Sequence, residues 1–547
     1  MPTNYRGADL LVETLAGQGV ERFFSLSGNQ IMPIYDACID ADIEIIHVRH
    51  EAATVHMADA WGRLTGQPGV ALVTAGPGHG NAISAMYTAF MAESPLVLLS
   101  GCAPKPKPGR MAFQQIAQAE MAGHVCKASW TASDPTRLGH EMARAFRLAV
   151  SGRPGPVHIS LPFDVLQANI DRAISLFPQP EDFQPQLSLC DHQTLRETFS
   201  FIQQSESPMI LAGASLMRDG SQQALVDLEE KIQVPVVGME SPRGVLDPSL
   251  GAFAEVLAKA DLLVLVGKKL DFTLRFGDEA AIRPDCRFIH IDSEMHVLEQ
   301  TGELLGDTGR LLLTDLADPQ PTVEKMLQFA DEFDWSDNDW RQEVRAAISY
   351  RPAEWESVKG QTEGTLHPAE ICRAAQTFLD GGEDSVLIAD GGEFGQWAQA
   401  CLTAEYRVIN GASGSIGSSI PFAIGARCAF PDSRIVTVLG DGTFGFHGME
   451  FDTAVRHNLP FIALVGNDAC WNAEHQIQMQ NYGSDRLIGC QLNPTRYDSV
   501  VVALEGHGEH VVDSAGLEPA LQRSLNSGLP ACVNVALEGH AAPAISR

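Results

Sequence analysis

VTVLGDGTFGFHGMEFDTAVRHNLPFIALVGNDACW, residues 436–471, is the stretch from which the fold can be read. Two apolar runs, SRIVTVLGDG (433–442) and LPFIALVGND (459–468), each close on Gly, Asp or Asn. Runs this short and this apolar read as strands buried on both faces, with EFDTAVRHN between them as one connecting helix. Strand, crossover helix and strand bring the two polar ends to the same edge of a parallel sheet. Asp441 and Asn467 then stand at converging strand ends, with 24 residues between Gly442 and Asn467. An ionised carboxylate and an amide carbonyl are hard oxygen donors suited to magnesium. Glycines at Gly440 and Gly442 let backbone amides approach a diphosphate closely. Alone, Gly-Asp-Gly is better explained as an acidic turn after a strand, a common feature of α/β proteins; the downstream Asn at this spacing favours the metal.

The same alternation runs outward in both directions. DSVLIADGG (384–392), YRVING (406–411) and ACVNVALEG (531–539) read as further strands of this last unit. NGASGSIGSSIPFAIGARCAF (410–430) holds small residues through Ser419, Gly414 among them, before a buried helix resumes. Such a run suits close contact with a ligand, and Ile416, its one bulky side chain, can prop a ring; a structural Gly-rich turn is the competing account. In the first unit the expected strands are VERFFSLSG (20–28), IEIIHV (43–48), GVALVTAG (69–76), SPLVLLSG (94–101) and GPVHISLP (155–162). The N-terminal MPTNYRGADLLVETL reads as an amphipathic helix. SPMILAGAS (207–215), VPVVGM (234–239), ADLLVLVGKKL (260–270) and CRFIHIDSE (286–294) form a middle unit. Polar stretches near 171–189 and 331–366 read as linkers. The expectation is three consecutive α/β domains with mostly parallel sheets, over 1–170, 190–335 and 365–547.

Three first-unit motifs carry chemistry. Glu51 follows a strand and the basic pair Arg49-His50, then enters an Ala-rich helix; standing alone it reads as a helix-capping carboxylate. In an apolar pocket it would instead exchange protons near neutrality. The loop GPGHGNA (76–82), beginning at Gly76, receives a ring or phosphate or is a tight turn, and it does not fit a dinucleotide fingerprint. In AFQQIAQAEMAGHVCK (112–127), Phe113 precedes Gln114, whose amide can bond a substrate carbonyl or sit on a surface helix. No G-x-S-x-G elbow appears.

The 547 residues carry 38 Lys and Arg against 69 Asp and Glu, a net charge of −31 that opposes nucleic-acid binding. Eleven cysteines without a CxxC pair read as reduced thiols of a cytoplasmic protein. No stretch has transmembrane length, so no membrane partner is expected.

Together these residues resemble the thiamine-diphosphate enzyme superfamily that includes acetolactate synthase, benzaldehyde lyase, 2-hydroxyacyl-CoA lyase and pyruvate decarboxylase. The resemblance spans nearly the whole chain and is carried by the ordered combination of RHE and GDG-x24-N. It implies a pyrimidine-binding first domain, a central domain, and a last domain that binds diphosphate and magnesium. It implies a homodimer as functional minimum, commonly a homotetramer, with each site shared between two chains. By the resemblance Glu51 touches the aminopyrimidine, Asp441 and Asn467 bind the metal with the Ala469 carbonyl, and Ile416 props the bent cofactor. Gly391 and Gly392, in a loop whose GGEFGQW wording departs from the familiar one, help hold the diphosphate. The implied chemistry passes through a C2 carbanion and an enamine.

Within the superfamily, the paired His of pyruvate decarboxylases is absent where Phe113 and Gln114 stand, and this pair looks like that of acetolactate synthase. Gln476 replaces that enzyme's substrate-selecting Trp. GNDACW resembles 2-hydroxyacyl-CoA lyase relatives, while RHEAA and VALVTAG resemble benzaldehyde lyase. The expectation is a lyase or carboligase acting on 2-hydroxyacyl or 2-hydroxyketone substrates, a small carbonyl compound or acyl-CoA. The alternatives are an acetolactate-type transferase using pyruvate and an oxalyl-CoA-like decarboxylase.

Overall fold

Three parallel sheets follow one another along the chain. The computed structural model describes residues 5–104, 111–175, 177–218, 221–336, 338–382 and 384–547. The first sheet contains β1 (Arg22–Ser25), β2 (Glu44–His47), β3 (Gly69–Val73), β4 (Leu96–Cys102), β5 (Ala128–Thr131) and β6 (Pro156–Pro162). The second contains β7 (Pro208–Ala212), β8 (Val236–Gly238), β9 (Leu262–Val266), β10 (Arg287–Asp292) and β11 (Leu311–Leu316). The third contains β12 (Ser385–Ala389), β13 (Tyr406–Ile409), β14 (Arg434–Gly440), β15 (Ile462–Asn467), β16 (His507–Val511) and β17 (Ala531–Ala536). The first sheet runs β2-β1-β3-β4-β6-β5, and the third repeats that order as β13-β12-β14-β15-β17-β16. The second runs β11-β10-β9-β7-β8. In each, the chain leaves one central strand for opposite sides of the sheet, opening a crevice at the carboxyl ends where ligands bind.

Helices cover both faces, which is why the central strands are apolar throughout. Among the described residues no helix is long and apolar enough to cross a membrane. The expected N-terminal helix spans Gly7–Gly17, and residues 1–4 lie outside the described set. Two expectations need correction. The single crossover helix after β14 is two, Asp441–His447 and Glu450–Arg456, and the break at Gly448-Met449 turns Glu450 toward the first sheet. The polar stretch near 331–366 is more than a linker, because its helix Asp339–Ser349 buries Trp340, Val344 and Ala347 in the middle core.

The first and third sheets share one apolar core through the helices Glu51–Thr65 and Ser419–Ala429. Small residues allow the approach: a Cβ on Gly425 would lie 2.5 Å from the Met57 carbonyl oxygen and 3.0 Å from its Cα. Ala53, Ala60, Ala423 and Ala426 fill the same seam. Polar ties close its rim. Arg63 pairs with the buried Asp59 at 2.7 Å and caps the end of β13 at the Ile409 carbonyl. Arg22 Nη1 donates to the Cys428 carbonyl at 2.9 Å. The middle sheet is held by Arg407, which donates to Glu240 at 2.6 Å, and by Arg153, buried between Glu93 and Asp292.

A Val at 425 has no room unless this seam opens. Gly425→Val is therefore expected to cost about 1–3 kcal/mol and to lower the apoprotein melting temperature. An unchanged melting curve would contradict the seam.

Candidate active site

β14 pairs with β15 so that Gly440 stands opposite Gly466, and the next residues, Asp441 and Asn467, leave the sheet side by side. β12 lies on the other flank of β14, with Ala389 opposite Val438 and Gly391 just beyond. A cavity of about 360 Å³ opens at these strand ends. Gly391, Gly392, Gly414, Ile416, Gly440, Asp441 and Gly442 all line it. Gly391 has φ 54°, and a Cβ there would lie 2.5 Å from Ile416 Cγ2, so both its backbone and its space require glycine. A Cβ on Gly442 would strike the Trp471 ring at 2.7 Å.

Asp441 is 2% exposed, and its Oδ2 has no hydrogen-bond partner. Burial pushes its carboxyl up to about 6, against backbone amides, those of Ala469 and Cys470 among them, that favour ionisation. Asp468, which the sequence reading did not single out, lines the same cavity. Burial first, and the Asp441 charge second, push it up to about 7. Asn467 and Ala469 stand beside the cavity rather than on its wall. The Asn467 amide is oriented by donating to the Thr495 carbonyl at 2.8 Å and to Asn534 Oδ1 at 3.2 Å. That leaves its Oδ1 toward the Ala469 amide at 3.3 Å. The Ala469 carbonyl accepts from Leu492 N at 2.7 Å and keeps a second lone pair. Among the described residues no group of three or more His, Cys, Asp or Glu gathers around a metal position. The oxygen set here is one carboxylate with amide and backbone carbonyls.

Asp390 was also missed. It is 1% exposed, and its Oδ2 accepts from Gly417 N at 3.0 Å and Ser419 N at 2.8 Å. It thereby ties the Ile416 loop to the end of β12. Arg243, from the middle unit, reaches the cavity rim.

The other expected residues gather at the crevice of the first sheet. Glu51, half-buried at the start of its helix, accepts from Asn81 Nδ2 at 2.9 Å. A Cβ on Gly78 would lie 3.5 Å from Glu51 Oε1 and 2.8 Å from Thr74 Cγ2, so Glu51 and Thr74 flank one glycine. Gly76, with φ 60°, presses against the Gln114 backbone, and its amide donates to Gln118 Oε1 at 3.0 Å. Gln114 Oε1 accepts from Gln30 Nε2 at 2.9 Å, and Gln30 Oε1 accepts from Thr74 Oγ1 at 2.7 Å. Gln30, Thr74 and Gln118 carry no motif, although the first two follow β1 and β3, the strands that form the crevice. Phe113 is 80% exposed. None of these first-sheet residues lines the third-sheet cavity.

Glu450 is the hinge between the two sets. Its Oε1 accepts from the Arg49 and His50 amides at 3.1 Å each, immediately before Glu51, and its Oε2 accepts from Thr453 Oγ1 at 2.6 Å. Burial pushes its carboxyl up to about 7 despite these donors. An acid raised by folding contributes stability while protonated and loses it as pH rises through that value. The melting temperature of Glu450→Gln, neutral throughout, should gain a few degrees on wild type between about pH 5.5 and about pH 8. A constant difference across that range would contradict the raised carboxyl.

Models of the thiamine pyrophosphate enzyme N-terminal TPP-binding, central and C-terminal TPP-binding domains match residues 5–121, 195–314 and 390–535. A probable acetolactate synthase of Mycobacterium bovis is 30% identical over 96% of this chain and 94% of its own length. The 2-hydroxyacyl-CoA lyase 2 of Homo sapiens is 29% identical over 92% of this chain and 84% of its own. An acetolactate synthase large subunit of Parasynechococcus marenigrum is 28% identical, covering 98% and 88%.

Proposed function

The chain belongs to the thiamine-diphosphate-dependent enzymes that make and break carbon–carbon bonds, the group of acetolactate synthases and 2-hydroxyacyl-CoA lyases, and within it we propose a lyase and carboligase for 2-hydroxyacyl or 2-hydroxyketone substrates. The observation that carries this reading is the neutral amide of Gln114, half-buried on the loop over Gly76 in the crevice that holds Glu51. Gln30, Thr74 and Gln118 are bonded to that amide, to one another and to the backbone, and support it. An amide suits carbonyl and hydroxyl oxygens, whereas the carboxylate of a 2-oxoacid calls for a cation.

Thiamine diphosphate supplies a carbon nucleophile that also takes up the electrons of the cleaved bond. The third-sheet cavity suits its magnesium diphosphate. Asp441 Oδ2 is buried without a partner, and a buried carboxylate in that condition is relieved by a cation. Asp441, Asn467 and the Ala469 carbonyl would hold the magnesium, while Gly392, Gly414 and Gly440 leave the diphosphate room, and Gly391 and Gly442 let Ile416 and Trp471 close on the cavity. Ile416 would bear against the cofactor rings. Glu51 would move a proton at the pyrimidine nitrogen, with Asn81 fixing one of its oxygens.

Because Glu51 lies outside that cavity, the functional unit we propose is a homodimer whose chains exchange half-sites, with a homotetramer as its larger form. Phe113 and Ile488, each 80% exposed, are apolar side chains that such an interface would cover. A small-molecule carbonyl or acyl-CoA is the substrate of this reading.

Glu51→Gln is expected to bind magnesium and cofactor like wild type yet to slow hydrogen exchange at the thiazolium C2 by about 100-fold or more; normal exchange would refute the role. Asp441→Ala should weaken magnesium-dependent cofactor binding by at least roughly tenfold, since even lost support of a ligand costs that much; unchanged titrations would remove it from the metal set. Incubation with benzoin, aliphatic acyloins, 2-hydroxyacyl-CoA and pyruvate, read by mass spectrometry, tests the substrate class. Cleavage of hydroxyketones or hydroxyacyl-CoA is expected, and turnover of pyruvate alone would overturn the proposal.

A further inference from the structure

We propose that Gln30 and Thr74 are positioning residues that set the polarity of Gln114, so that it meets the substrate oxygen as a hydrogen-bond donor. The inference rests on the functional reading above and deepens it. Thr74 Oγ1 donates to Gln30 Oε1 at 2.7 Å, which commits the carbonyl end of the Gln30 amide to Thr74. The amino end of Gln30 then donates to Gln114 Oε1 at 2.9 Å. The Gln114 carbonyl is thus held on Gln30, with one of its two lone pairs engaged there. The NH₂ group, a donor without acceptor capacity, is the end of the amide turned away from Gln30.

The relay is built into tight backbone. Gln30 is 5% exposed, and a Cβ on Gly101 would lie 3.0 Å from its own Cβ. Thr74 is wedged between Gly28, where a Cβ would lie 2.3 Å from Thr74 Cβ, and Gly78. Gln114 sits at φ 60° over Gly76, and Gln118 anchors that loop to the Gly101 carbonyl at 3.1 Å. Thr74, the first member of the relay, and Glu51 flank the same glycine, Gly78, and Gln114 packs on Gly76 two residues before it, so the relay starts beside the proton-transfer residue. An N–H there stabilises a carbonyl oxygen as it gains charge during bond formation, and an exposed carbonyl in its place would repel it.

A carboxyl in place of the Gln30 amide separates polarity from packing, because it is nearly isosteric. When ionised it only accepts, so it draws the NH₂ of Gln114 to itself and turns the Gln114 carbonyl toward the substrate. When protonated it donates to Gln114 Oε1 and accepts from Thr74, restoring the original polarity. Titratable groups nearby are Glu51 across Gly78, His47 beside Ser27, and the buried His79, which burial holds down to about 4. All three are common to wild type and variant, so the ratio of their rates isolates the introduced carboxyl.

The experiment compares Q30E holoenzyme with wild type on the hydroxyketone or hydroxyacyl-CoA substrate that wild type cleaves. We expect kcat to fall by about 100-fold at about pH 8 and to recover progressively on acidification, with cofactor binding and C2 hydrogen exchange as in wild type. T74S should keep near-normal kcat, and T74V should lose it. A Q30E kcat equal to wild type, or rising with pH, would overturn the relay. Neutron diffraction from apoprotein crystals supplies a readout independent of turnover. Deuterium on Gln30 Nε2 directed at Gln114 supports the polarity, and deuterium on Gln114 Nε2 directed at Gln30 overturns it. Failure of wild type to bind cofactor or turn over any substrate would instead overturn the functional reading, and diffraction would then decide the relay by itself.

Discussion

The close approach of two helices, Glu51–Thr65 and Ser419–Ala429, governs how this molecule can work. Gly425 against the Met57 backbone lets them share a core, and Glu450 and Arg63 tie the ends of that contact across the two units. The consequence is geometric. The helix that begins with Glu51 is bonded sideways to the third unit, while Glu51 itself lies off the third-sheet cavity. One chain therefore presents two separate crevices rather than one site, and the same sheet order used twice makes them related halves. In the proposed dimer, each half meets its complement on the other chain.

The third-sheet cavity spends stability on readiness. Asp441 and Asp468 line one cavity where burial raises both carboxyls, and the Asp441 charge raises Asp468 further. Such a pair weakens the apoprotein and is relieved by a bound cation, which links cofactor loading to folding. The first-sheet crevice is the opposite case. Beside Glu51 its amides and hydroxyl, those of Gln30, Gln114 and Thr74, are neutral and bond to one another, so their precision comes from hydrogen-bond direction rather than from charge.

Much of this was legible in the sequence because buried parallel strands announce themselves. SRIVTVLGDG, LPFIALVGND and ADLLVLVGKKL became β14, β15 and β9 within a few residues. The strands that were not recognised are β5, β11 and β16, each at the edge of its sheet. Edge strands are half-solvated and lose the continuous apolar run: HGEHV and LLLTDL are mixed in both composition and burial. The third-sheet cavity was readable because its residues are crowded into short motifs with demanding backbones, such as Gly391 and Gly442. Gln30, Thr74 and Asp468 were not, since an amide, a hydroxyl or a carboxylate at a strand end is ordinary until the crevice is located. The repeated strand order is the signal that would have found them.

The account stands or falls on the two crevices completing each other between chains. Co-expression of Glu51→Gln and Asp441→Ala chains under different affinity tags, followed by purification of the mixed dimer, tests this directly. One site then carries both lesions and the other carries neither, so the mixed dimer should regain about half of wild-type activity although each parent is inactive. A mixed dimer as inactive as its parents would contradict the shared site.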